Sequence, residues 1–234
     1  MSVTLEPGQV DVWKIALDQP ADVVADLRGV LSTGEIERAE RFRVDRGAQR
    51  YIVGRGALRR LLERYTGLVA KELAFDHNEF GKPELPGSEI MFNLSHSHGI
   101  ALFAVTRDRA IGVDIERIRE EVTMDKIAGR FFSPAEARAL SALPAHQQAE
   151  AFFDCWTRKE AWIKARGRGL SIALNSFEVS LAPGEPARLL ATRPDPEEAS
   201  RWSLLALECE PGYAAALAVA GEIGNVRVAD YWFR

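Results

Sequence analysis

The stretch Gly112-Val-Asp-Ile-Glu116 lies near the middle of the 234-residue chain, and the rest of the sequence is best interpreted outward from it. Its apolar and polar residues alternate, which predicts a β-strand over residues 111–116. Side chains two positions apart share one face of a strand, so Asp114 and Glu116 present their carboxylates together. Such a pair favours a cation, and Mg²⁺ prefers carboxylate oxygens. A solvated strand end without metal is the simpler alternative.

A further acidic residue falls within the longest predicted helix, residues 147–166. At 100° per residue, Glu160 lies inside an otherwise apolar arc formed by Ala149, Phe152, Phe153, Trp156 and Ile163. A carboxylate that faces inward requires a cation, a metal or a proton, because burying an unpaired charge is costly. Lys159 and Lys164 flank it. An ordinary helix salt bridge between Glu160 and Lys164 is the alternative explanation.

Polar residues follow a short apolar strand predicted for residues 90–94. Their hydroxyl and imidazole groups, notably those of Ser95 and His96, can donate hydrogen bonds to phosphate oxygens. An ordinary serine-rich turn is one alternative, and a metal pair formed by His96 and His98 is another. The metal pair lacks recognisable further ligands, because the chain has only four histidines and no cysteine nearby.

The composition, 47% hydrophobic and 27% charged, is typical of a soluble globular protein. The net charge of −4 gives no reason to expect a nucleic-acid or anionic-membrane partner. Cys155 and Cys209 form no C-x-x-C motif, and the sequence has no recognisable secretion signal, so we expect a cytoplasmic protein with reduced thiols. Walker, Rossmann and G-x-S-x-G motifs are absent from the sequence.

The order of the predicted elements favours an α+β fold. A strand over residues 9–17 precedes an arginine-rich helix over residues 48–65, and the strands at 100–106 and 111–116 are predicted to form a hairpin. The apolar runs that begin at Gly99 and Gly212 resemble each other faintly. We therefore expect two similar, pseudo-twofold subdomains, residues 1–112 and 113–234, each a small antiparallel sheet packed with helices. The ligand is expected in the cleft between them.

The motifs also form a longer pattern when they are taken in order. They are NLSHS at residues 93–97, GVDIE at 112–116, RFFSPAE at 130–136 and WTRKEAWIK at 156–164, followed by GRGLS at 167–171. The pattern extends from the GRGALRRLL helix and the GKP turn to the strand NSFEVSL, and so covers most of the chain. Together these motifs resemble the signature of the Sfp-type 4'-phosphopantetheinyl transferases.

The resemblance implies an enzyme that transfers the phosphopantetheine arm of coenzyme A to a serine of a carrier protein and releases adenosine 3',5'-bisphosphate. It implies that Asp114, Glu116 and Glu160 hold Mg²⁺ against the pyrophosphate. Glu160 would accept the proton of the carrier serine, directly or through a water. Lys164 would contact the pyrophosphate, with Lys159 nearby.

The same resemblance assigns residues to the 3'-phosphate region of coenzyme A. They are Ser95 and His96, helped by Lys82 of the GKP turn and by Arg50. Arg38 is a further candidate, because it precedes the pair Arg41-Phe42 as in the family.

Members of the family often carry a basic residue near position 35, where this chain has Glu35. The implied partner is an acyl or peptidyl carrier protein, which local basic stretches would attract. A monomer suffices if both halves lie in one chain. Two other functions stay open on the residues alone, a non-catalytic coenzyme A or nucleotide-binding module and a Mg²⁺-dependent phosphoesterase.

Overall fold

A computed structural model describes residues 3–119 and 124–233 of the chain. Two main β-sheets meet along strands β4 and β6, and helices pack against them. The elements up to residue 107 are β1 (Val10–Ala16), α1 (Ala21–Gly29), α2 (Thr33–Glu40), α3 (Asp45–Thr66), β2 (Asp76–His77), β3 (Pro83–Glu84), β4 (Ile90–Ser97) and β5 (Ile100–Arg107). The later elements are β6 (Ile111–Arg117), α4 (Met124–Phe131), α5 (Pro134–Ala142), α6 (Ala145–Arg166), β7 (Phe177–Val179), β8 (Leu189–Thr192), β9 (Trp202–Ala206), β10 (Tyr213–Ala220) and β11 (Val226–Asp230).

The first sheet has the strand order β11-β1-β5-β4. Strand β5 pairs antiparallel with both β1 and β4, whereas β11 pairs parallel with β1. The second sheet has the order β6-β10-β9 and is antiparallel throughout. Two short antiparallel pairs, β2-β3 and β7-β8, complete the sheets among the described residues.

Each half contains one helix of 22 residues, α3 or α6, that ends at a glycine with positive φ. Gly67 (φ 74°) and Gly167 (φ 64°) adopt the left-handed conformation that commonly ends a helix and that costs glycine nothing. Helix α5 starts as the sequence predicts, because Ser133 and Glu136 form a capping box. The α+β class with small helix-covered antiparallel sheets is confirmed.

Three apolar clusters hold these layers together. One lies between α3 and the first sheet, and a second surrounds α6 in the C-terminal half. The third joins the two sheets, with Val10, Leu102, Val113 and Leu217 among its buried members. Because β6 turns Val113 and Ile115 into this third cluster, it turns Gly112, Asp114 and Glu116 towards the opposite face.

One expectation about strand pairing and one about the length of a strand are wrong. Strand β5 does not form a hairpin with β6; it pairs with β4, and β6 pairs with β10 in the other sheet. Strand β4 continues to Ser97 rather than ending before Ser95. Side chains of β4 bond to the backbone of β6, since Val113 N donates to Asn93 Oδ1 (2.9 Å) and Arg117 N donates to Ser97 Oγ (3.1 Å).

The division of the chain at residues 112/113 stays a prediction. That position falls inside β6, and β11 near the C-terminus lies in the first sheet rather than the second. Of the helices within the described ranges, none combines the length and the apolar character needed to cross a bilayer.

Candidate active site

A pocket of about 410 Å³ lies where β4, β6 and α6 come together. Its walls carry acidic, basic and apolar side chains, and six of them are site residues that the sequence predicts on three separate segments. The lining consists of Leu94, Ser95, His96, Asp114, Glu116, Trp156, Glu160 and Lys164.

The close contact between β6 and α6 gives the pocket its shape. A Cβ added at Gly112 would overlap Ala161 O and Ala165 N, so only glycine permits the backbones to approach this closely. The next residue of β6 on the same face is Asp114. It therefore faces the turn of α6 that carries Lys164, and the two meet as an ion pair of 2.6 Å.

Asp114 is the most buried acid of the pocket, with 4% of its surface exposed. Its Oδ1 accepts hydrogen bonds from Lys164 Nζ (2.6 Å) and from Ser95 Oγ (2.7 Å). Lys164 Nζ also donates to Ser95 Oγ (2.8 Å), which closes a triangle between the three side chains. Asp114 Oδ2, by contrast, is buried and has no hydrogen-bond partner among the residues that the structure describes. A buried carboxylate oxygen without a partner is costly, and a bound cation or donor would remove that cost.

Glu116 is half-buried and is oriented by β4, because Ser97 Oγ donates to its Oε2 (2.9 Å). Burial raises the pKa of Glu116, and the nearby Asp114 charge raises it further. The Ser97 hydrogen bond opposes this effect.

Glu160 is half-buried on the pocket face of α6. Burial is the main cause that raises its pKa, followed by the negative charge of Asp114, and Glu116 adds a smaller contribution. Among the described residues, Lys164 pairs with Asp114 rather than with Glu160, so the simple helix salt bridge is not formed. A carboxyl group with a raised pKa is suited to accept a proton near neutral pH.

The donor chemistry of Asp114, Glu116 and Glu160 fits a hard divalent cation, since all three line one pocket and one Asp114 oxygen lacks a partner within residues 3–119 and 124–233. In the described part of the chain, however, no three His, Cys, Asp or Glu side chains already lie close enough together to hold a metal ion. The Lys164 ammonium is the cation that Asp114 contacts in this arrangement. Joint metal ligation by the three carboxylates thus stays a prediction.

His96 and Arg50 extend the site towards the turn between β4 and β5. Desolvation by the pocket lowers the pKa of His96, and the Lys164 charge lowers it further. Arg50 forms two hydrogen bonds of 2.7 Å with Asp18, and its guanidinium approaches Gly99 of the turn. The Arg50 and Arg46 guanidiniums hold the pKa of the Asp18 carboxyl well below its usual range.

The structure places Lys159 away from the pocket, contrary to the sequence prediction. Its side chain is fully buried, and its Nζ donates to Leu174 O (2.8 Å) and Phe177 O (2.7 Å). An ion pair of 2.8 Å with Glu136 neutralises it. Its polar contacts among the described residues are internal, so Lys159 holds α6 against α5 and β7. A contact between Lys159 and coenzyme A stays a prediction.

Lys82 is likewise not among the residues that line the pocket. Its Nζ donates to Ile111 O (3.0 Å) and Ala165 O (3.5 Å), and burial lowers its pKa to about 8. In this structure the Lys82 ammonium group therefore contacts two backbone carbonyls. Its contact with coenzyme A stays a prediction.

The remaining candidates have local structural roles. Glu35 completes a capping box with Ser32 and forms ion pairs with Arg55 and with Arg59 (2.6 Å), which explains an acidic residue at this position. The Arg38 guanidinium lies 5.5 Å from the centre of the Tyr51 ring.

Sequence reasoning missed the roles of Asn93 and Ser97. These residues and Ser95 occupy alternate positions of β4, and all three bond to β6. Their period of two was a usable signal, because alternate strand positions share a face. The strand predicted from the sequence ends at residue 94 and therefore leaves Ser95 and Ser97 outside it.

Comparison with known proteins gives the class of the chain. Residues 110–218 match the family model of the 4'-phosphopantetheinyl transferase superfamily. The 4'-phosphopantetheinyl transferase HetI of Nostoc sp. (strain PCC 7120) is 41% identical over 94% of this chain and 91% of that protein. Sfp of Bacillus subtilis, also a 4'-phosphopantetheinyl transferase, is 30% identical over 89% of this chain and 92% of that protein.

Among solved structures, the holo-[acyl-carrier-protein] synthase of Thermotoga maritima aligns with a TM-score of 0.40 at 23% identity, over 48% of this chain and 63% of that one. The sequence relatives cover nearly the whole chain. This protein is an enzyme that belongs to the 4'-phosphopantetheinyl transferase superfamily.

Proposed function

We propose that the pocket between β4, β6 and α6 binds the pyrophosphate of coenzyme A and catalyses transfer of its phosphopantetheine arm to a serine of an apo carrier protein. The observation that carries this proposal is that Asp114, Glu116, Glu160 and Lys164 line a single pocket. This combination of three acids and one lysine suits a charged phosphoryl group together with a divalent cation.

The proposed cation is Mg²⁺, which Asp114, Glu116 and Glu160 would hold. The unpartnered Asp114 Oδ2 and the raised pKa values of Glu116 and Glu160 support this assignment, because a cation would relieve all three. When bound, such an ion neutralises charge on the pyrophosphate and on the leaving phosphate.

The protein's own groups have separate tasks in the proposed reaction. The carrier serine Oγ attacks the phosphorus that bears the pantetheine arm, the bond from that phosphorus to the bridging oxygen breaks, and adenosine 3',5'-bisphosphate leaves. Glu160 takes the serine proton, a role for which its raised pKa suits it. Lys164, held by Asp114 and Ser95, contributes positive charge next to the pyrophosphate.

The 3'-phosphate of coenzyme A is proposed to lie towards Arg50 and His96, beyond Ser95. Arg50 forms a bidentate pair of hydrogen bonds with the Asp18 carboxylate. A phosphate can accept the same bidentate pair from a guanidinium. The proposed acceptor is an acyl or peptidyl carrier protein.

We also propose that the enzyme acts as a monomer in the cytoplasm. Strand β4 of the first sheet and β6 of the second both line the pocket, so one chain supplies both walls. Both cysteines are free, and Cys155 is buried, as is common in a reducing compartment.

The direct test is incubation of the protein with coenzyme A, Mg²⁺ and several apo carrier domains, followed by intact mass measurement. We expect a mass gain on the carrier that equals the phosphopantetheine arm, and we expect EDTA to abolish it. Release of free phosphopantetheine without a carrier adduct would instead establish a phosphoesterase. Binding of coenzyme A without any turnover would establish a non-catalytic binding module.

A further inference from the structure

Strands β4 and β6 carry matching polar positions at the pocket. Ser95 and Ser97 lie two residues apart on β4, and Asp114 and Glu116 lie two residues apart on β6. Ser95 Oγ donates to Asp114 Oδ1 (2.7 Å), and Ser97 Oγ donates to Glu116 Oε2 (2.9 Å). Each acidic residue at this end of β6 is therefore paired with its own serine on β4.

A second contact fixes the direction of the Ser97 hydrogen bond. A serine hydroxyl has one O–H donor and accepts through its oxygen. Arg117 N donates to Ser97 Oγ (3.1 Å), so the oxygen is the acceptor in that contact. The hydroxyl proton is left for Glu116 Oε2, because the His98 ring nitrogen lies further away, at 3.4 Å. Ser97 is only 7% exposed, so water has little access to compete for it.

These contacts leave one oxygen of each carboxylate open. Within the part of the chain that the structure describes, Asp114 Oδ2 has no hydrogen-bond partner, and the hydrogen bond from Ser97 to Oε2 is the only one that the Glu116 side chain makes. Asp114 is also held by Lys164, whereas Glu116 depends on Ser97 alone. Glutamate has one more rotatable bond than aspartate, and the like charge of Asp114 repels its carboxylate. Glu116 is therefore the ligand candidate that most needs an anchor.

We propose that Ser97 is a positioning residue, whose hydroxyl holds Oε2 of Glu116 and leaves Oε1 as the oxygen available to the divalent cation. Removing a partner that orients a metal ligand typically lowers metal affinity or activity by about 10- to 100-fold. The effect on metal affinity rests on the function proposed above, whereas the orientation of Glu116 by Ser97 is independent of it.

Four variants test the proposal. Ser97→Ala removes the hydroxyl. Ser97→Thr and Ser97→Val have nearly the same shape, and of the two only threonine keeps a hydroxyl, so this pair separates hydrogen bonding from packing. Ser203→Ala is the matched control, because it removes a strand serine hydroxyl that donates to Gly221 O (2.8 Å) and does not line the pocket.

The main measurement is the dissociation constant for Mn²⁺ alone, determined by electron paramagnetic resonance in the absence of coenzyme A. Mn²⁺ serves as the probe because it shares the preference of Mg²⁺ for carboxylate oxygens. Arm transfer is measured as kcat and KM for coenzyme A at limiting and at excess Mg²⁺. Crystal structures of metal-free wild type and of the Ser97 variants locate the Glu116 carboxylate.

We expect Ser97→Ala and Ser97→Val to raise the dissociation constant for Mn²⁺ by about 10-fold or more. Turnover by these variants should fall at limiting Mg²⁺ and largely recover at excess Mg²⁺, with little change in KM for coenzyme A. Ser97→Thr and the Ser203→Ala control should stay close to the wild type. In the crystal structures, the Glu116 carboxylate should leave its wild-type position in the variants without a hydroxyl.

An unmoved Glu116 carboxylate, or unchanged Mn²⁺ affinity in variants of a wild type that binds the ion, would overturn the proposal. A raised KM for coenzyme A with unchanged Mn²⁺ affinity would also overturn it and would show that Ser97 contacts the substrate. Equal losses in Ser97→Thr and Ser97→Val would assign the effect to packing instead of the hydroxyl. If the wild type bound no Mn²⁺, the metal assignment of the proposed function would fail, while the crystal structures would still decide whether Ser97 orients Glu116.

Discussion

At the scale of single residues, the pocket concentrates negative charge that the protein alone neutralises only in part. Lys164 neutralises Asp114, whereas Glu116 and Glu160 have pKa values that burial and neighbouring acids raise. Ionisation of Glu116 and Glu160 is therefore unfavourable unless a cation is bound nearby. Two predictions follow for Glu160.

The first prediction concerns turnover. Glu160→Gln should lower kcat for arm transfer by at least about 100-fold, because the amide cannot accept the serine proton and is a poorer cation ligand. The measurement is the rate of mass gain on an apo carrier domain. Coenzyme A binding, measured calorimetrically without metal, should be largely retained.

The control for this prediction is Glu150→Gln, an exposed position on the same helix, which should behave as the wild type. Wild-type turnover by Glu160→Gln would contradict the assignment of Glu160 as proton acceptor.

The second prediction concerns stability of the metal-free protein. Because the pKa of Glu160 is raised on folding, the folded protein binds this proton more tightly than the unfolded chain does. The contribution of Glu160 to stability is thus fully present below the ordinary glutamate pKa and is lost as the pH rises through the raised value. Glu160→Gln removes this loss, so in EDTA at neutral pH its Tm should exceed that of the wild type by about 2–4 °C.

Thermal melts in EDTA from about pH 5 to about pH 8 test this sign. The advantage of the variant should shrink towards the acidic end, where the wild-type carboxyl is protonated. A variant that is less stable than the wild type at neutral pH would show that Glu160 is not destabilised by its surroundings.

At the scale of secondary structure elements, α6 presents different side chains to different neighbours. Lys159 and Lys164 are five residues apart and so point about 140° apart around the helix axis. Lys164 faces the pocket, while Lys159 is buried against the loop that leads to β7. One helix therefore supplies both the site and the contact that fixes its orientation.

Lys159→Met should destabilise the fold by about 3–5 kcal/mol, because it leaves Glu136 and two carbonyls without their buried cation. Denaturant unfolding measures this loss. Lys71→Met, an exposed lysine, is the control and should change stability little. A stable Lys159→Met variant with a raised KM for coenzyme A would instead show that Lys159 binds coenzyme A.

At the scale of the whole molecule, β11 joins the end of the chain to its beginning. Asp11 in β1 is buried, and it accepts hydrogen bonds from Tyr65 OH (2.6 Å) and from Arg227 Nε (3.0 Å) of β11. This network connects the first sheet to α3 and to the last strand. A buried carboxylate needs such donors, so their removal should loosen β11.

Arg227→Met should reduce the free energy of unfolding by about 1–2 kcal/mol, a value discounted because the arginine is partly exposed, and should speed proteolysis near the C-terminus. Arg107→Met, which breaks the exposed ion pair with Glu89, is the control and should cost less. Equal losses in the two variants would show that the Asp11 network does not hold β11.

The sequence predicted much of the fold and many of the pocket residues, because those features are local. Hydrophobic periodicity located α3, α6 and most strands, and the capping box located the start of α5. The partner of each strand was harder to predict. The hairpin assigned to β5 and β6 was wrong because consecutive strands can separate into different sheets, and β11 was missed because it pairs with a strand from the other end of the chain.

The sequence by itself determined that Asp114 and Glu116 share one face of β6 and that Glu160 falls within the apolar arc of α6, since strand alternation and helix periodicity are properties of neighbouring residues. Only the tertiary structure decided that Lys164 reaches Asp114 while Lys159 and Lys82 bind backbone carbonyls. All three lysines carry the same charge, so their sequence positions do not distinguish them. What separates them is which buried oxygen each ammonium meets, and that depends on how distant segments pack together.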